Sequence, residues 1–75
     1  MPAAYILLSV ESGADTKVLQ TLKKIPNVKE AEQVYGVYDI IAKIEADTME
    51  ELKDMVTYRI RQLDQVKSTT TMIIM

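Results

Sequence analysis

The sequence contains no cysteine and no histidine among its 75 residues. Disulfides, zinc or iron–sulfur sites built from Cys and His, and haem held by a proximal His or Cys are therefore excluded. Cysteine proteases and hydrolases with a Ser–His triad are excluded for the same reason. No phosphate-binding glycine loop of the G-x-G-x-x-G or G-x-x-x-x-G-K-[ST] type is present either. We therefore expect no cofactor and no metal.

The sequence also has little that suits nucleic acid or a membrane. Phe and Trp are absent, Tyr occurs four times, and no basic run is longer than Lys23-Lys24. The net charge is −2, whereas nucleic-acid binders usually carry a basic patch and single-strand binders stack bases on aromatic rings. Direct nucleic-acid binding is not expected. The apolar run from Ala3 to Leu8 is too short for a membrane span and lacks the basic flank of a signal peptide, which predicts a cytoplasmic protein.

What is present is a high apolar content in a short chain: 48% of the residues are hydrophobic and 27% are charged. The length predicts one domain over residues 1–75. Domains of this size bury only roughly 60% of the surface that their unfolded chain exposes, and disulfides, metals or association usually compensate. Because Cys and His are lacking, association is the expected means of stabilisation.

Apolar periodicity predicts four strands and two helices in the order β-α-β-β-α-β. The predicted strands are Ala3–Val10, Val28–Tyr35, Ile40–Ile44 and Val66–Met75. Asp15 or Thr16 is the predicted cap of the first helix, which ends before Pro26, and a capping box from Thr48 to Glu51 starts the second, which runs to about Leu63. This order is typical of the ferredoxin-like α+β fold, with strands one and three central in an antiparallel sheet and both helices on one face.

Both faces of the predicted sheet are apolar. Strand one alone places Ile6 and Leu8 on one face and Tyr5 and Leu7 on the other. Two helices cover only one face, and an antiparallel sheet facing water normally alternates apolar with polar residues. The uncovered face is therefore predicted to meet a second copy of the chain. Scattered surface apolar residues, which monomers tolerate, are the alternative.

Two short stretches carry groups that suit ligand binding. In Gly36-Val37-Tyr38-Asp39, a glycine at the hairpin turn leaves its amide open to a ligand, Tyr38 adds a rigid wall with a hydroxyl, and Asp39 adds a carboxylate. The other stretch is a run of four strand hydroxyls, Ser68, Thr69, Thr70 and Thr71. Turns and polar edge strands contain the same residue types, so neither stretch specifies a site by itself. No nucleophile–base pair is found, and no enzyme activity is expected.

The whole chain resembles the effector-binding (RAM) domain of the Lrp/AsnC transcription regulators, in the stand-alone form without a helix-turn-helix. The resemblance is carried by four segments, which are Ala4–Gly13, Ile25–Glu30, Tyr35–Ile44 and Val66–Thr71. It implies the β-α-β-β-α-β fold, a dimer paired through sheet faces, and a ring of such dimers, either an octamer or a decamer. It also implies an amino-acid effector bound at the contacts between dimers, and a full-length regulator of the family as a partner for co-assembly.

Carried onto this sequence, the resemblance places the effector between the Gly36-Tyr38-Asp39 turn and the strand from Ser68 to Thr71. Asp39 is expected to bind the ammonium group of the amino acid. Thr69, Thr71 and amides near Gly36 are expected to bind its carboxylate, with Ser68 and Thr70 replacing the two threonines if the strand has the opposite register. One other function stays open, an assembly scaffold without ligand. A second alternative, an enzyme of the dimeric α/β-barrel type, is disfavoured by the lack of His and of a paired acid–base set.

Overall fold

The structure is a computed structural model, and it describes residues 1–74. These residues form a four-stranded antiparallel sheet and two helical regions in the predicted order, the second of which changes from α- to π-helix. The strands are β1 (Ala3–Val10), β2 (Val28–Gln33), β3 (Ile40–Glu45) and β4 (Val66–Ile74). The helical regions are α1 (Asp15–Lys23), α2 (Met49–Asp54) and a π-helical segment (Met55–Ile60) that continues α2. Neither region, within residues 1–74, is long and apolar enough to cross a bilayer.

The strand order is β2-β3-β1-β4, so the two most apolar strands are central as predicted. Ile6 lies opposite Ala42 of β3 on one side and opposite Thr71 of β4 on the other. The β1–β4 register shifts between Ser9 and Val10, at the end of the sheet where the β2–β3 turn lies. Residues directly opposite in an antiparallel pair share a face, so this register decides which side chains meet.

One face of the sheet and the inner faces of the helices form a single core. Ala4, Ile6, Leu8 and Val10 of β1 are buried, and they are one of the two alternating sets that the sequence predicts for this strand. The other members of this core lie on the remaining elements and include Val18, Leu22, Ala31, Ile40, Ala42, Ile44, Leu52, Val56 and Ile60. The fold thus decides which of the two apolar sheet faces packs on the helices, because alternation along the strands leaves both possible.

Three predicted boundaries are wrong by one or two residues. The N-cap residue of α1 is Ala14, and no side chain forms a capping hydrogen bond there. Neither Asp15 nor Thr16 is therefore the cap. β2 ends at Gln33 instead of Tyr35, and β3 ends at Glu45 instead of Ile44, whereas α1 ends at Lys23, before Pro26 as predicted. The predicted end of the last strand, Met75, lies outside the described residues. Shifts of this size are expected where tertiary contacts decide the last turn or strand pair.

The second helical region differs from the prediction in type. The amide of Arg61 donates to the carbonyl of Val56 at 2.9 Å, a five-residue step that closes a π-helical turn. The wider turn keeps Val56 and Ile60 in the core and leaves Thr57, Tyr58 and Arg59 on the surface. The regular helix predicted to about Leu63 therefore ends at Asp54 as an α-helix and at Ile60 as a π-helix.

The predicted cap of α2 is present in part, and it provides a test of local stability. The Thr48 hydroxyl accepts a hydrogen bond from the Glu51 amide at 3.1 Å. We expect Thr48→Ala to lower the free energy of unfolding by about 1 kcal/mol, because one amide of the first turn loses its acceptor. Urea unfolding measures the change. Thr16→Ala is the control, and an equal loss there would show that the cap does not stabilise α2.

The sheet face opposite the helices, called the open face below, is apolar at its centre and charged at one margin. The apolar part includes Tyr5, Leu7, Ile41, Met72 and Ile74; Tyr5, Met72 and Ile74 are 37%, 47% and 41% exposed. Lys43 lies beside them, with its ammonium 5.9 Å from the Tyr5 ring centroid. Glu30 and Glu32 occupy the β2 margin. An apolar patch with a polar rim is typical of a surface that meets another protein.

Candidate functional site

The turn between β2 and β3, residues 34–39, is fastened to the end of β1 by Asp39. The Asp39 amide donates to the Leu8 carbonyl at 2.8 Å, and the Asp39 carbonyl accepts from the Val34 amide at 2.9 Å. The Asp39 carboxylate accepts, through Oδ2, from the Val10 amide at 2.9 Å. This bond replaces a strand-pair bond at the point where β1 passes beyond its pairing with β3. Asp39 therefore both closes the turn and ties it to the central strand.

A concave region of about 540 Å³ lies against this turn on the helix side of the sheet. Gly36 and Asp39 line it, together with four residues that the sequence did not indicate: Asp15, Gln33, Val34 and Tyr35. Gly36 has a φ of +133°, a backbone conformation that residues other than glycine adopt only with strain. Two carboxylates, one amide side chain and exposed backbone are the polar groups of this concavity, and its six lining residues include no Lys or Arg.

Tyr38 points away from this concavity and toward β4. Its hydroxyl lies 2.7 Å from the Thr70 hydroxyl, which is a hydrogen bond across β1. Thr70 lies opposite Leu7 and therefore on the open face. This bond joins the turn to the edge strand, and it links two of the predicted site residues that are 32 positions apart in the chain.

The strand hydroxyls are divided between the two faces by the register. Ser68 lies opposite Ser9 and shares the open face with Thr70. Thr69 lies opposite Leu8, and Thr71 lies opposite Ile6, so both belong to the helix side. Within one chain the predicted residues thus form two groups: Gly36 and Asp39 at the concavity, and Tyr38 with Thr70 and Ser68 on the open face. Thr69 and Thr71 join neither group.

The residues that the sequence missed are at the concavity because of tertiary structure. Asp15 comes from the first turn of α1, which the fold brings to the β2–β3 turn. The sequence predicts Val34 and Tyr35 to lie in a strand, whereas β2 ends at Gln33 and leaves both in the turn. The mixed polarity before Gly36 was the signal that could have shortened the strand.

A second depression lies on the helix side at the edge of the sheet, and we call it the β4 groove. It has a volume of about 230 Å³ between β4 and the second helical region, and its lining residues are Leu52, Lys53, Val56, Thr57, Thr71 and Ile73. Ile73 is 38% exposed although it faces the helix side, because the helices do not extend over the edge strand. The groove is mostly apolar, with one ammonium and two hydroxyls at its walls.

The sequence matches the Lrp/AsnC ligand binding domain over residues 3–75. The chain belongs to this family. It is 32% identical over 72 residues to the transcriptional regulator FL11 of Pyrococcus furiosus, a match that covers 96% of this chain and 47% of that protein. The chain therefore spans about half the length of the curated regulators that it matches.

Solved structures agree with the sequence match. The structure named FFRP-DM1 is 40% identical in sequence to this chain, with a TM-score of 0.97. The match covers 100% of both chains. The transcriptional regulator NMB0573 of Neisseria meningitidis, solved as a complex with L-Met, has a TM-score of 0.83 with 99% of this chain and 49% of that chain covered. Its identity is 16%, so this second likeness concerns the fold alone. The expected ferredoxin-like fold and Lrp/AsnC family are both confirmed.

One relative is an enzyme. The homocitrate synthase of Sulfurisphaera tokodaii is 37% identical over 73 residues, but the match covers only 16% of that protein against 96% of this chain. A match to so small a part gives no reason to assign the synthase activity to this chain. The regulators among the relatives favour the interpretation of a ligand-binding domain that is not an enzyme.

Proposed function

We propose that this chain binds an amino acid at the concavity beside the β2–β3 turn and couples that binding to its own assembly. The single observation that carries the proposal is the Asp39 carboxylate, which is fastened through Oδ2 to the Val10 amide and lines the concavity. A carboxylate held in one orientation offers its second oxygen to an ammonium group at low entropic cost. Support comes from the family description, a ligand binding domain, and from the related fold that holds L-Met.

The residues of the predicted site take different roles in this proposal. Gly36 and Asp39 contact the amino acid directly, with Asp39 on the ammonium and the turn amides near Gly36 on the carboxylate. Tyr38 and Thr70 brace the turn through their hydroxyl–hydroxyl bond of 2.7 Å. Ser68 lies near them on the open face, while Thr69 and Thr71 contact a ligand only from a neighbouring copy.

The proposed assembly starts with a dimer paired through the open face. Two such faces bury Leu7, Ile41 and their apolar neighbours against each other, which removes the apolar surface that the helices leave uncovered. Dimers then associate into a ring of four or five, and the amino acid binds where they meet. A ligand that binds only the assembled form stabilises that form by mass action.

The proposed partner beyond a second copy is a full-length Lrp/AsnC regulator in the cytoplasm. A regulator such as FL11 contains a region similar to this chain over 47% of its length. Because related domains present similar pairing surfaces, the chain can replace one copy of that region in a mixed assembly. The DNA contacts would then belong to the regulator, since this chain carries a net charge of −2.

The test is a thermal-shift and calorimetry screen of the chain against the twenty amino acids, with light scattering to follow its mass. At tenfold excess over its Kd, a ligand stabilises the native state by about 1.4 kcal/mol. For a domain of this size that raises Tm by about 6–11 °C. The α-hydroxy acid with the same side chain is the control, because it lacks the ammonium. If no amino acid changes Tm or mass at millimolar concentration, the chain is a scaffold and not a sensor.

A further inference from the structure

The two edges of the sheet differ in how well they are protected from pairing with another strand. β2, at one edge, has six residues, and Lys29, Glu30 and Glu32 place charges along it. β4, at the other edge, has nine residues, and none of those from 68 to 74 is charged or a proline. Short length, charge and proline are the features that keep an edge strand from pairing with other chains. β4 is therefore the edge that suits the addition of a further strand.

The free backbone groups of β4 follow from the bonds that β1 makes on its other side. The Leu8 carbonyl accepts from the Asp39 amide and so points toward β3. The amide and carbonyl of successive strand residues point alternately to opposite sides, so those of Leu7 point toward β4, where Leu7 lies opposite Thr70. Thr70 therefore bonds to β1, and the residues that alternate with it direct their amides and carbonyls to the free edge. These residues are Thr69, Thr71 and Ile73.

Two of these three residues also line the β4 groove. Thr71 and Ile73 face the helix side, because they lie opposite Ile6 and Ala4, and both line the groove. An antiparallel strand added at this edge would exchange backbone bonds with Thr71 and Ile73. Its residues opposite these two would share their face and would lie over the groove. Edge and groove together thus offer main-chain bonds and a side-chain pocket, which are the two parts of peptide recognition by strand addition.

The charge of the groove indicates which kind of strand it accepts. Lys53 is the one charged residue among its lining residues, and it is exposed, while Leu52 and Val56 supply apolar wall. A strand that alternates apolar and acidic residues on its helix side would place methyl groups on that wall and a carboxylate near the Lys53 ammonium. A second copy of β4 fits less well. Antiparallel pairing of two β4 edges would bring both Lys53 ammonium groups to the same side of one sheet, where like charges repel.

We infer that the β4 edge and the β4 groove bind an extended segment of another protein, with apolar and acidic residues alternating on one face, by antiparallel strand addition. Backbone bonds to Thr69, Thr71 and Ile73 hold the segment, and Lys53 binds its carboxylate. This site lies apart from the concavity at the β2–β3 turn and from the open face. The inference therefore goes beyond the proposed function and does not depend on amino-acid binding.

The probe for this site is the peptide Thr-Val-Thr-Glu-Thr-Val-Thr with both ends blocked, which places one carboxylate between two apolar side chains on one face of a strand. We expect calorimetry to detect binding to the wild-type chain, and hydrogen exchange to show protection of the Thr69, Thr71 and Ile73 amides when the peptide is added. The same peptide with N-methyl groups on the glutamate and both valines cannot donate to the edge, and it should not bind.

Two variants of the chain test the pocket and the edge separately. Lys53→Glu should weaken binding about tenfold or more, because an attractive charge becomes repulsive. Lys17→Glu makes the same change at an exposed position of α1 and should leave affinity unchanged. Thr71→Pro removes a donor from the free edge, where proline costs no bond to β1, and should also weaken binding about tenfold or more. If Thr71→Pro fails to fold by circular dichroism, Lys53→Glu and the methylated peptide decide the test.

Three results would overturn the inference. The first is equal affinity for the methylated and unmethylated peptides, because binding would then not use the backbone of the edge. The second is wild-type affinity in Lys53→Glu. The third is protection of the Thr71 and Ile73 amides that rises with protein concentration in the absence of peptide, because a second copy would then be the occupant of the edge.

Discussion

Asp39→Ala is expected to abolish the response to amino acids and to lower the free energy of unfolding by about 1–3 kcal/mol. The ligand effect follows from loss of the carboxylate that meets the ammonium group. The stability effect follows from the Val10 amide, a partly buried donor that would lose its acceptor 2.9 Å away. The dimer should remain, because Asp39 is not part of the open face. Calorimetry with the best amino acid from the screen, urea unfolding and light scattering measure the three quantities.

Asp39→Asn separates the two roles of this side chain. The amide oxygen of asparagine can still accept from Val10, so stability should stay close to that of the wild type. The negative charge is lost, and a charged hydrogen bond contributes about 1.5–3 kcal/mol, so affinity should fall roughly 10- to 150-fold. Asp64→Asn removes the same charge from an exposed position and should change neither quantity. Unchanged affinity in Asp39→Asn would remove Asp39 from the ligand site.

Leu7→Lys is expected to convert the dimer into a monomer at micromolar concentration. Leu7 lies at the centre of the open face, on a central strand, and is half-buried without belonging to the core. Burial of a leucine contributes about 1.5–3 kcal/mol, and an unpaired ammonium in an apolar contact costs more. Because Leu7 occurs once in each subunit, the Kd of the dimer should rise more than a hundredfold. Sedimentation equilibrium measures this constant.

The control for this substitution is Gln20→Lys, which adds the same charge on the exposed side of α1. It should leave the dimer unchanged. Circular dichroism should show that the Leu7→Lys variant keeps its fold, because the core residues Ile6 and Leu8 point to the other face of the sheet. A Leu7→Lys variant with the dimer constant of the wild type would show that copies do not pair through the open face.

The residue types of the candidate site could be named from the sequence, but their arrangement could not. A glycine, a tyrosine and an aspartate in one turn indicate ligand-binding capacity, and the structure does place Gly36 and Asp39 at a concavity. It also turns Tyr38 to the opposite side, where it bonds to Thr70. Alternation along β4 required the hydroxyls to divide into two pairs, but only the pairing with β1 shows that Ser68 and Thr70 share the open face.

The sequence by itself determined the order of the elements, the alternation of side chains between the two faces of the sheet and the excess of apolar surface. Those features depend on local spacing, because side chains alternate every residue in a strand and recur every three to four residues in a helix. The tertiary structure decided the π-helical segment, the fastening of Asp39 to Val10 and the bond from Tyr38 to Thr70. The two hydrogen bonds join residues that are 29 and 32 positions apart, and such distant partners are set by the strand register of the whole sheet.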